Sequence, residues 1–496
     1  MVPEYVEIQM KILLVYPAPP RSDWPRGIFR SQWVPTGIAC IATVLRRSGH
    51  EVKVYVAEEQ LVRNGFDWPA ARASLQTLMQ EFQPQIVGLS LVTPGVPEGQ
   101  LAAQDAKTIC GPATLVVAGG PHPTALPEHL LQECPQIDVA VIGEGEITLR
   151  ELAEGGPRPA VRGIAFRTAG GIVRTPDRPP VTDLDTLGPP AYDLFGMDYY
   201  TSPGRFLIRW LKLAAINIRT SRGCTNRCRF CAGHLISGVG VRFHSIPYVI
   251  EQMQVARRRF GVEAIHFEDD TLGADRSRLL ELCEQIRRAG LHQQLQWDAC
   301  LRVDQADSEL LNQMKSAGCI QVEYGFESGS SDALRRLGKN ATAELNRRAV
   351  LLTRQAGLRI FADIMVGLPG ETAWDLNQTV KFLRQARPEI IAAGRLFPLP
   401  GTPIYQDLSP QERSTLTWGS LSYFEVPGPS VNLTAMSDEE LNRAYRRFLK
   451  YTVKPQMRWA YLRDTPSGDL AVRRAMRRKL ARFVLRHPLR ALRVPW

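Results

Sequence analysis

The sequence lacks several features that would assign it to particular classes of protein. None of its apolar runs approaches the ~20 residues that a helix needs to cross a bilayer. It shows no secretory leader, and its nine cysteines are an odd number, so we expect a cytoplasmic protein without a disulfide framework. With 496 residues, of which 44% are hydrophobic and 22% charged, the chain can form two or three cores.

The first third of the chain alternates strand-like and helix-like segments. We predict a first domain over residues 1–160, a Rossmann-like α/β unit with a parallel sheet covered by helices on both faces. The predicted strands are Ile12–Tyr16, Val52–Val56, Ile86–Leu91, Leu115–Ala118 and Val139–Ile142. The predicted helices are Ile38–Arg47, Ala70–Phe82, Gln100–Ile109 and Thr124–Leu131.

The loops after the third, fourth and fifth predicted strands are small and polar. Ligands of open parallel sheets bind at the carboxyl ends of the strands. These ends carry Ser90, Leu91, Val92, Thr93, Gly119, Gly120, His122, Thr124, Gly143, Glu144 and Gly145. Glycine lets the backbone approach a large flat ligand, and hydroxyl groups can hydrogen-bond its edge. Tight turns alone would also explain these residues.

A connector and a second alternation follow the first domain. Residues 161–215 are predicted to be a linker that contains a hairpin around Gly170 and Gly171, followed by two proline pairs that oppose regular structure. Residues 216–405 have the rhythm of six βα units, which predicts a partial (β/α)6 barrel. Its strands are predicted at Asn217–Thr220, Ala264–Glu268, Leu295–Cys300, Gln321–Phe326, Ile360–Val366 and Ala392–Phe397. Residues 406–496 are predicted to form a mostly helical C-terminal region.

Three cysteines lie close together after the first predicted barrel strand, at Cys224, Cys228 and Cys231. Three thiolates can hold three irons of a [4Fe-4S] cluster and leave the fourth iron open to another ligand. A zinc ion is the alternative, since His234 could supply a fourth ligand, but a second cysteine pair of the kind typical of structural zinc sites is missing nearby.

The spacing C-x3-C-x2-C, with Phe230 before the last cysteine, resembles the radical S-adenosylmethionine (SAM) superfamily. The glycine-rich loops ahead of it resemble the cobalamin (B12)-binding domain that precedes the radical domain in one subgroup of that superfamily. The resemblance implies three cofactors: a [4Fe-4S] cluster on the three cysteines, SAM on the open iron, and cobalamin at the loops of the first domain.

The resemblance also implies SAM contacts at the carboxyl ends of the barrel strands, where catalytic residues of βα barrels collect. The implied residues are Phe230, Glu268, Asp269, Asp270, Arg302, Glu327, Ser328 and Gly367. No catalytic side chain is expected, because the radical comes from SAM. Glu371 is predicted to cap or begin the helix that follows it.

One departure from the wider cobalamin family bears on the metal. Cobalamin mutases and methionine synthase carry D-x-H-x-x-G, whose histidine ligates cobalt, whereas residues 17–37 contain no histidine. We therefore expect no protein imidazole on the cobalt. His122 follows a different strand, and its flanking prolines indicate a turn residue.

The resemblance covers most of residues 11–405 and implies an anaerobic biosynthetic enzyme. The expected activity is transfer of a methyl group from SAM, through methylcobalamin, to an unactivated carbon with the help of a 5′-deoxyadenosyl radical. One alternative is a non-methylating enzyme with the same cofactors that performs oxidative cyclisation, ring contraction or oxygen insertion. Another is a corrinoid-binding sensor or carrier. The expected partners are a small-molecule substrate and an external electron donor of the flavodoxin or ferredoxin type.

The net charge of +11 is partly concentrated in a C-terminal tail. Its basic residues are Arg473, Arg474, Arg477, Arg478, Lys479, Arg482, Arg486, Arg490 and Arg493. Such tails bind nucleic acid or anionic membranes. Apolar residues recur near helical spacing among them, which favours an amphipathic helix lying on lipid or on the protein itself. We expect no nucleic-acid partner, and peripheral membrane contact with a lipid-like or tetrapyrrole substrate stays open.

Overall fold

The computed structural model describes residues 9–18, 33–64, 67–201, 208, 211, 213–420 and 431–452. The strands are β1 (Lys11–Tyr16), β2 (Glu51–Val56), β3 (Ile86–Ser90), β4 (Leu115–Gly119), β5 (Val139–Val141), β6 (Ile164–Thr168), β7 (Gly171–Arg174), β8 (Ala215–Ile218), β9 (Ser221–Arg222), β10 (Arg242–Phe243), β11 (Ala264–Phe267), β12 (Gln296–Leu301), β13 (Cys319–Glu327), β14 (Arg359–Val366) and β15 (Ile390–Arg395).

The α-helices of the described residues lie between and after these strands. They are α1 (Thr36–Arg47), α2 (Ala57–Arg63), α3 (Trp68–Phe82), α4 (Val96–Ile109), α5 (Pro121–Ala125), α6 (Pro127–Glu133), α7 (Glu146–Ala153), α8 (Met197–Thr201), α9 (Gly233–Ser237), α10 (Ile246–Phe260), α11 (Arg276–Arg288), α12 (Ser308–Ser316), α13 (Ser331–Arg336), α14 (Ala343–Gln355), α15 (Ala373–Ala386), α16 (Pro403–Gln406), α17 (Pro410–Ser414) and α18 (Asp438–Thr452).

The first sheet has the strand order β2-β1-β3-β4-β5-β6-β7. Its first five strands are parallel, and their apolar side chains are buried on both faces, as Ile12 to Val15 show in β1. From β1 the chain adds β2 on one side of the sheet and then β3, β4 and β5 on the other. Such a reversal of strand order opens a crevice at the carboxyl ends of the strands, here between β1 and β3. The predicted Rossmann-like fold is confirmed.

The hairpin predicted within the linker is instead the antiparallel edge of the first sheet. Strand β6 pairs with β5 and β7 pairs with β6, because the alternating Ile164 and Phe166 are buried in the main core. Within the first domain, helices α2 and α7 escaped prediction, and the helix predicted over Thr124–Leu131 is split into α5 and α6 at Leu126, where Pro127 begins the second helix.

The second sheet contains six parallel strands in the order β15-β14-β13-β12-β11-β8. Each barrel strand lies beside the barrel strand that follows it in the sequence, and a helix follows most strands. The sheet therefore curls into the predicted partial (β/α)6 barrel. The core on its helical side is built from large apolar side chains such as Trp297, Phe326 and Phe382. Strands β9 and β10 form a separate two-stranded hairpin.

A buried asparagine ties the loop after β1 to the first barrel strand. The Asn217 amide accepts a hydrogen bond from the Val34 N–H (2.9 Å) and donates to the Val34 carbonyl (3.0 Å). Its amide nitrogen also donates to Glu268 (2.8 Å). Beside it, Trp33 stacks on His266 with 4.8 Å between the ring centres. The two sheets therefore share contacts next to the crevice of the first.

The described part of the C-terminal region packs on both domains. Helix α18 begins at a capping box, since Ser437 and Glu440 exchange hydrogen bonds, and it buries Leu441, Tyr445 and Phe448. Trp418 packs on His122, and its indole N–H donates to Glu133 at 3.4 Å. Throughout the described part of the chain, no helix is both long and apolar enough to span a membrane. The basic tail lies outside the described residues.

Replacing Asn217 by alanine should weaken the joint between the two sheets. The buried N–H and C=O of Val34 would both lose their partner, and each such loss costs about 1–3 kcal/mol. We expect a melting temperature several degrees below that of the wild type. Asn340→Ala, at an exposed position, is the matched control and should melt with the wild type. Equal melting of all three proteins would show that the amide does not hold the loop.

Candidate cofactor and active site

A cavity of about 830 Å³ lies between the carboxyl ends of the two sheets. The first sheet contributes Ser90, Val92, Thr93, Gly119, Gly120, Gly143, Glu144 and Gly145 from the predicted set. The barrel contributes Phe230, Cys231, Glu268 and Asp270 from the predicted set. One cavity therefore brings together residues of the two domains that lie far apart in the sequence. Glu144 and Phe230, for example, are more than 80 positions apart.

The glycine loops at the first sheet are closely fitted to one another. Gly120 has a φ of 105°, and a Cβ atom there would lie 2.9 Å from the Leu91 carbonyl oxygen, so a side chain is excluded. The Leu91 N–H donates to the Gly119 carbonyl (2.7 Å), and the Thr124 hydroxyl accepts from the Gly143 N–H (3.1 Å). Leu91 and Thr124 therefore lie behind the loops that line the cavity and hold these loops in place.

His122 is fully buried and serves the packing of these loops. Its Nδ1 lies 3.3 Å from the Thr93 hydroxyl, and its ring meets Trp418 edge-on, with 5.2 Å between the ring centres. Burial lowers the pKa of His122 to about 4, with a smaller contribution from His129. The imidazole is therefore neutral at physiological pH and takes part in a contact between the loops and the C-terminal region.

The three cysteines lie in the loop between β9 and α9, and their environments differ. Cys228 is buried, Cys224 is half-buried, and Cys231 is exposed and faces the cavity. The N–H of Asn226 lies 3.5 Å from the Cys224 sulfur, and the N–H of Gly233 lies 3.4 Å from the Cys231 sulfur. Such N–H donors stabilise negative charge on metal-bound thiolates.

The spacing of the cysteine sulfurs does not suit one zinc ion. Zinc holds sulfur ligands at about 2.3 Å in a tetrahedron, which places them about 3.8 Å apart. In the described part of the chain, the group of His, Cys, Asp and Glu side chains whose ligand atoms all lie within 4.8 Å of one another is His266, Asp298 and Glu323. The cysteine trio is not among such groups, and three thiolates in one loop are the donor set of an iron–sulfur cluster with one open iron.

The three acidic residues after β11 have different surroundings. Asp269 is buried, where it accepts hydrogen bonds from the Thr220 N–H (3.1 Å) and from the Ser221 hydroxyl, and burial raises its pKa. Glu268 and Asp270 face the cavity. Asp270 accepts from the Gly223 N–H (3.1 Å), one residue before Cys224. Asp269 thus supports the loop. Glu268 and Asp270 border the cavity, and Glu268 is also held by Arg219 (3.1 Å) and Thr36 (3.1 Å).

The other predicted SAM contacts lie away from the cavity, on the Cys228 side of the cysteine loop. Glu327 forms a buried ion pair with Lys339 at 2.7 Å, and Arg302 pairs with Asp304 at 3.0 Å. Burial raises the pKa of Cys228, and the positive charges of Lys339 and Arg302 oppose that rise. Both charges therefore favour the thiolate form of Cys228.

Ser328 and Gly367 are held by the protein itself. The fully buried Ser328 hydroxyl lies 3.1 Å from that of Thr379, and the Gly367 N–H donates to Glu371 at 2.7 Å. The prediction that Glu371 caps or begins a helix is wrong, because Thr372 caps α15. The Glu371 carboxylate turns back to the loop before it, and burial raises its pKa to about 8.

Sequence reasoning missed an ion-pair network that joins the two domains at the cavity wall. Arg222 in β9 contacts Glu144 (3.1 Å) and Glu146 (2.6 Å), and Arg242 in β10 contacts Glu144 (2.7 Å). All four side chains are at most 17% exposed. The sequence does show an acidic loop from Gly143 to Glu146 and an arginine two residues before Cys224. It does not show that these residues pair with each other.

Replacing Arg222 by glutamine should destabilise the protein strongly. Removal of one partner from a buried ion pair leaves charge without compensation and costs about 3–5 kcal/mol. We expect a clear fall in melting temperature, with little change for Arg276→Gln, whose ion pairs with Asp307 and Glu309 are exposed. Similar effects for the two variants would contradict the assignment of Arg222 as a buried clamp.

The raised pKa of Glu371 predicts a pH dependence of stability. A carboxyl whose pKa is about 8 when folded, against 4.5 for a solvated glutamate, stabilises the fold most below pH 4.5, and this contribution is lost as pH rises through 8. Between pH 5 and 8, the stability of the wild type relative to Glu371→Gln should fall by about 1.4 kcal/mol per pH unit. Parallel curves of melting temperature against pH would refute a protonated Glu371.

Comparisons with known proteins match this architecture. The family models of the Radical SAM superfamily and of the B12 binding domain match residues 218–383 and 27–153. The uncharacterized methyltransferase PH0819 of Pyrococcus horikoshii is 28% identical over 454 residues, which cover 90% of this chain and 94% of that protein. The anaerobic magnesium-protoporphyrin IX monomethyl ester cyclase of Rubrivivax gelatinosus is 28% identical over 386 residues, which cover 76% of this chain and 66% of the cyclase.

A solved structure shows the same fold. The radical S-adenosylmethionine methyltransferase TsrM from Kitasatospora setae, with cobalamin and a [4Fe-4S] cluster bound, has a TM-score of 0.66 and 21% identity, and the match covers 88% of this chain and 85% of TsrM. The non-methylating alternative is not favoured, since the methyltransferase relative matches almost end to end. Because the two domain models match in this order, the chain combines a B12 binding domain with a radical SAM domain, and it is an enzyme of the methyltransferase type with a [4Fe-4S] cluster, SAM and cobalamin as cofactors.

Proposed function

We propose that the enzyme methylates an unactivated carbon of a small molecule that binds between the two domains. The observation that carries this proposal is the shared cavity, because the glycine-lined ends of the first sheet and Cys231 both border it. Groups held at its two walls would face one substrate, and holding reactants in such proximity is the main contribution that a protein makes to chemistry supplied by cofactors.

The cysteine loop is the proposed cluster site, with Cys224, Cys228 and Cys231 as ligands. Support comes from the three thiols gathered in one loop, with Cys231 at the cavity, and from the N–H groups directed at two of the sulfurs. When bound, the cluster supplies the electron that cleaves SAM, and cobalamin carries the methyl group. The chain's own task is to orient these groups and to exclude water.

Asp270 is the proposed acceptor for the protonated amine of SAM. It lies at the cavity wall close to Cys231, since a Cβ atom on Gly233 would be 3.4 Å from both the Asp270 carboxylate and the Cys231 sulfur. Glu268 and Phe230 border the same space. We assign the remaining predicted contacts, Asp269, Arg302, Glu327, Ser328 and Gly367, to the support of the loops, because they do not border the cavity and each is engaged by protein groups.

The first domain, residues 1–160 extended by the hairpin of β6 and β7, is the proposed cobalamin-binding unit, and residues 216–405 are the proposed radical unit. Ser90, Thr93 and the glycines at the strand ends would contact the corrin. We expect no imidazole from residues 17–37 on the cobalt, because that segment contains no histidine, and His122 is engaged by Thr93 and Trp418.

The electron donor and the membrane contact are further parts of the proposal. A low-potential donor of the flavodoxin or ferredoxin type would reduce the cluster. The basic tail from Arg473 onward supports peripheral contact with anionic lipid, which would bring a lipid-like or tetrapyrrole substrate to the enzyme.

Product analysis after anaerobic reconstitution tests the proposed function. The protein is loaded with iron, sulfide and hydroxocobalamin, a low-potential reductant is added, and the products of SAM are measured by mass spectrometry. We expect both 5′-deoxyadenosine and S-adenosylhomocysteine. Cys228→Ala should abolish deoxyadenosine, whereas Cys283→Ala, at a buried cysteine of α11, should leave it unchanged.

The other outcomes separate the alternatives. Deoxyadenosine without S-adenosylhomocysteine would contradict methyl transfer and favour the non-methylating reaction. Neither product, from protein that has bound both the cluster and the corrin, would point to a sensor or carrier.

A further inference from the structure

Three ionisable side chains meet inside the barrel, on three neighbouring strands and away from the cysteine loop. They are His266 in β11, Asp298 in β12 and Glu323 in β13, with exposed fractions of 1%, 0% and 6%. One ligand atom from each lies within 4.8 Å of the other two. His266 and Asp298 are direct neighbours across their strands, and the His266 Nδ1 is 3.0 Å from an Asp298 oxygen.

A fourth polar group completes the arrangement. Gln321, which is opposite Asp298 in β13, is fully buried, and its amide nitrogen lies 3.2 Å from Asp298 and 3.4 Å from Glu323. The amide oxygen on the same carbon atom has no hydrogen-bond partner. Turned by 180° about its Cγ–Cδ bond, the amide would place this oxygen where the nitrogen now lies, 3.2 Å from Asp298 and 3.4 Å from Glu323, as a further donor to a cation between them.

The distances are compatible with ligands of one metal ion. Two ligand atoms that bind an ion at about 2.1 Å in octahedral geometry lie about 3.0 Å apart, which equals the separation of the His266 nitrogen and the Asp298 oxygen. Two buried carboxylates also repel each other unless positive charge lies between them. Imidazole with carboxylate and amide oxygen is a donor set for Zn²⁺, Mn²⁺ or Fe²⁺.

We propose that His266, Asp298, Glu323 and the Gln321 amide oxygen bind one divalent first-row transition-metal ion inside the barrel. The site is closed, because protein groups surround it on three adjacent strands, and closed sites of this kind are structural. The ion fastens β11, β12 and β13 below the strand ends that carry Asp270 and Glu327. Through Trp33, which stacks on His266 and borders the cavity, it also steadies the loop after β1.

The competing arrangement is an ion-pair cluster without metal. In that case a protonated His266 pairs with Asp298, and Arg359, whose charge interacts with Asp298, balances the second carboxylate. This arrangement keeps the Gln321 amide nitrogen on both carboxylates, and it makes the opposite prediction for metal content.

Metal retention distinguishes the two arrangements. The full-length holoprotein, with cluster and cobalamin in place, is incubated anaerobically with Zn²⁺ or Mn²⁺, desalted and analysed by inductively coupled plasma mass spectrometry. We expect about one ion per chain in the wild type, and at least a tenfold loss in Asp298→Asn and in Glu323→Gln. Asp363→Asn, a matched change on the adjacent strand β14, should retain the ion. Bound Zn²⁺ should raise the melting temperature of the wild type by several degrees, but not that of Glu323→Gln.

Two further measurements make the result independent of the cluster and of folding. A variant with all three cluster cysteines replaced by serine should still retain the ion, and X-ray absorption of its zinc should show nitrogen and oxygen ligands without sulfur. Circular dichroism establishes that Glu323→Gln is folded. No retained metal in the wild type, equal retention by Glu323→Gln, or sulfur in the zinc shell would each overturn the proposal, whatever the outcome of the methylation assay.

Discussion

The buried contact between Arg222 and the glutamates after β5 is the constraint on which the cofactor region depends. Glu144 and Glu146 stand at the carboxyl end of the first sheet, and Arg222 stands two residues before the first cluster cysteine. Four buried charges tolerate little misalignment, because their desolvation is offset only while every pair is made. The network therefore fixes the distance and orientation between the glycine loops and the cysteine loop, on which the size of the cavity depends.

Local patterns were sufficient to predict most of the fold. Apolar runs such as Ile12 to Val15 specify strands whose faces are both covered, and the alternation of βα units specifies a parallel sheet. Strand boundaries differ by a residue or two, as β8 begins at Ala215 rather than Asn217, whereas α4 begins four residues before its predicted start at Gln100. The edge hairpin was assigned to a linker because pairing of β6 with β5 depends on a contact that no short window contains.

The candidate site shows where such prediction stops. The spacing of Cys224, Cys228 and Cys231 carries its own chemistry and can be recognised in isolation. A carboxylate at a strand end carries no such information, because its role depends on which partner lies beside it in space. Glu327 pairs with Lys339, Asp269 accepts a hydrogen bond from Ser221, and Glu144 pairs with two arginines. Acidic residues at equivalent strand ends therefore differ in role, since some support loops and others line the cavity.

Asn217 has a consequence for the dynamics of the molecule. Its side-chain amide offers Val34 one acceptor and one donor, as the backbone of an adjacent β-strand would. The loop after β1 is thereby paired to the barrel as if it were an additional short strand of that sheet. Exchange of the Val34 amide hydrogen with solvent then requires opening of the barrel edge, so a probe placed in one domain reports the local unfolding of the other.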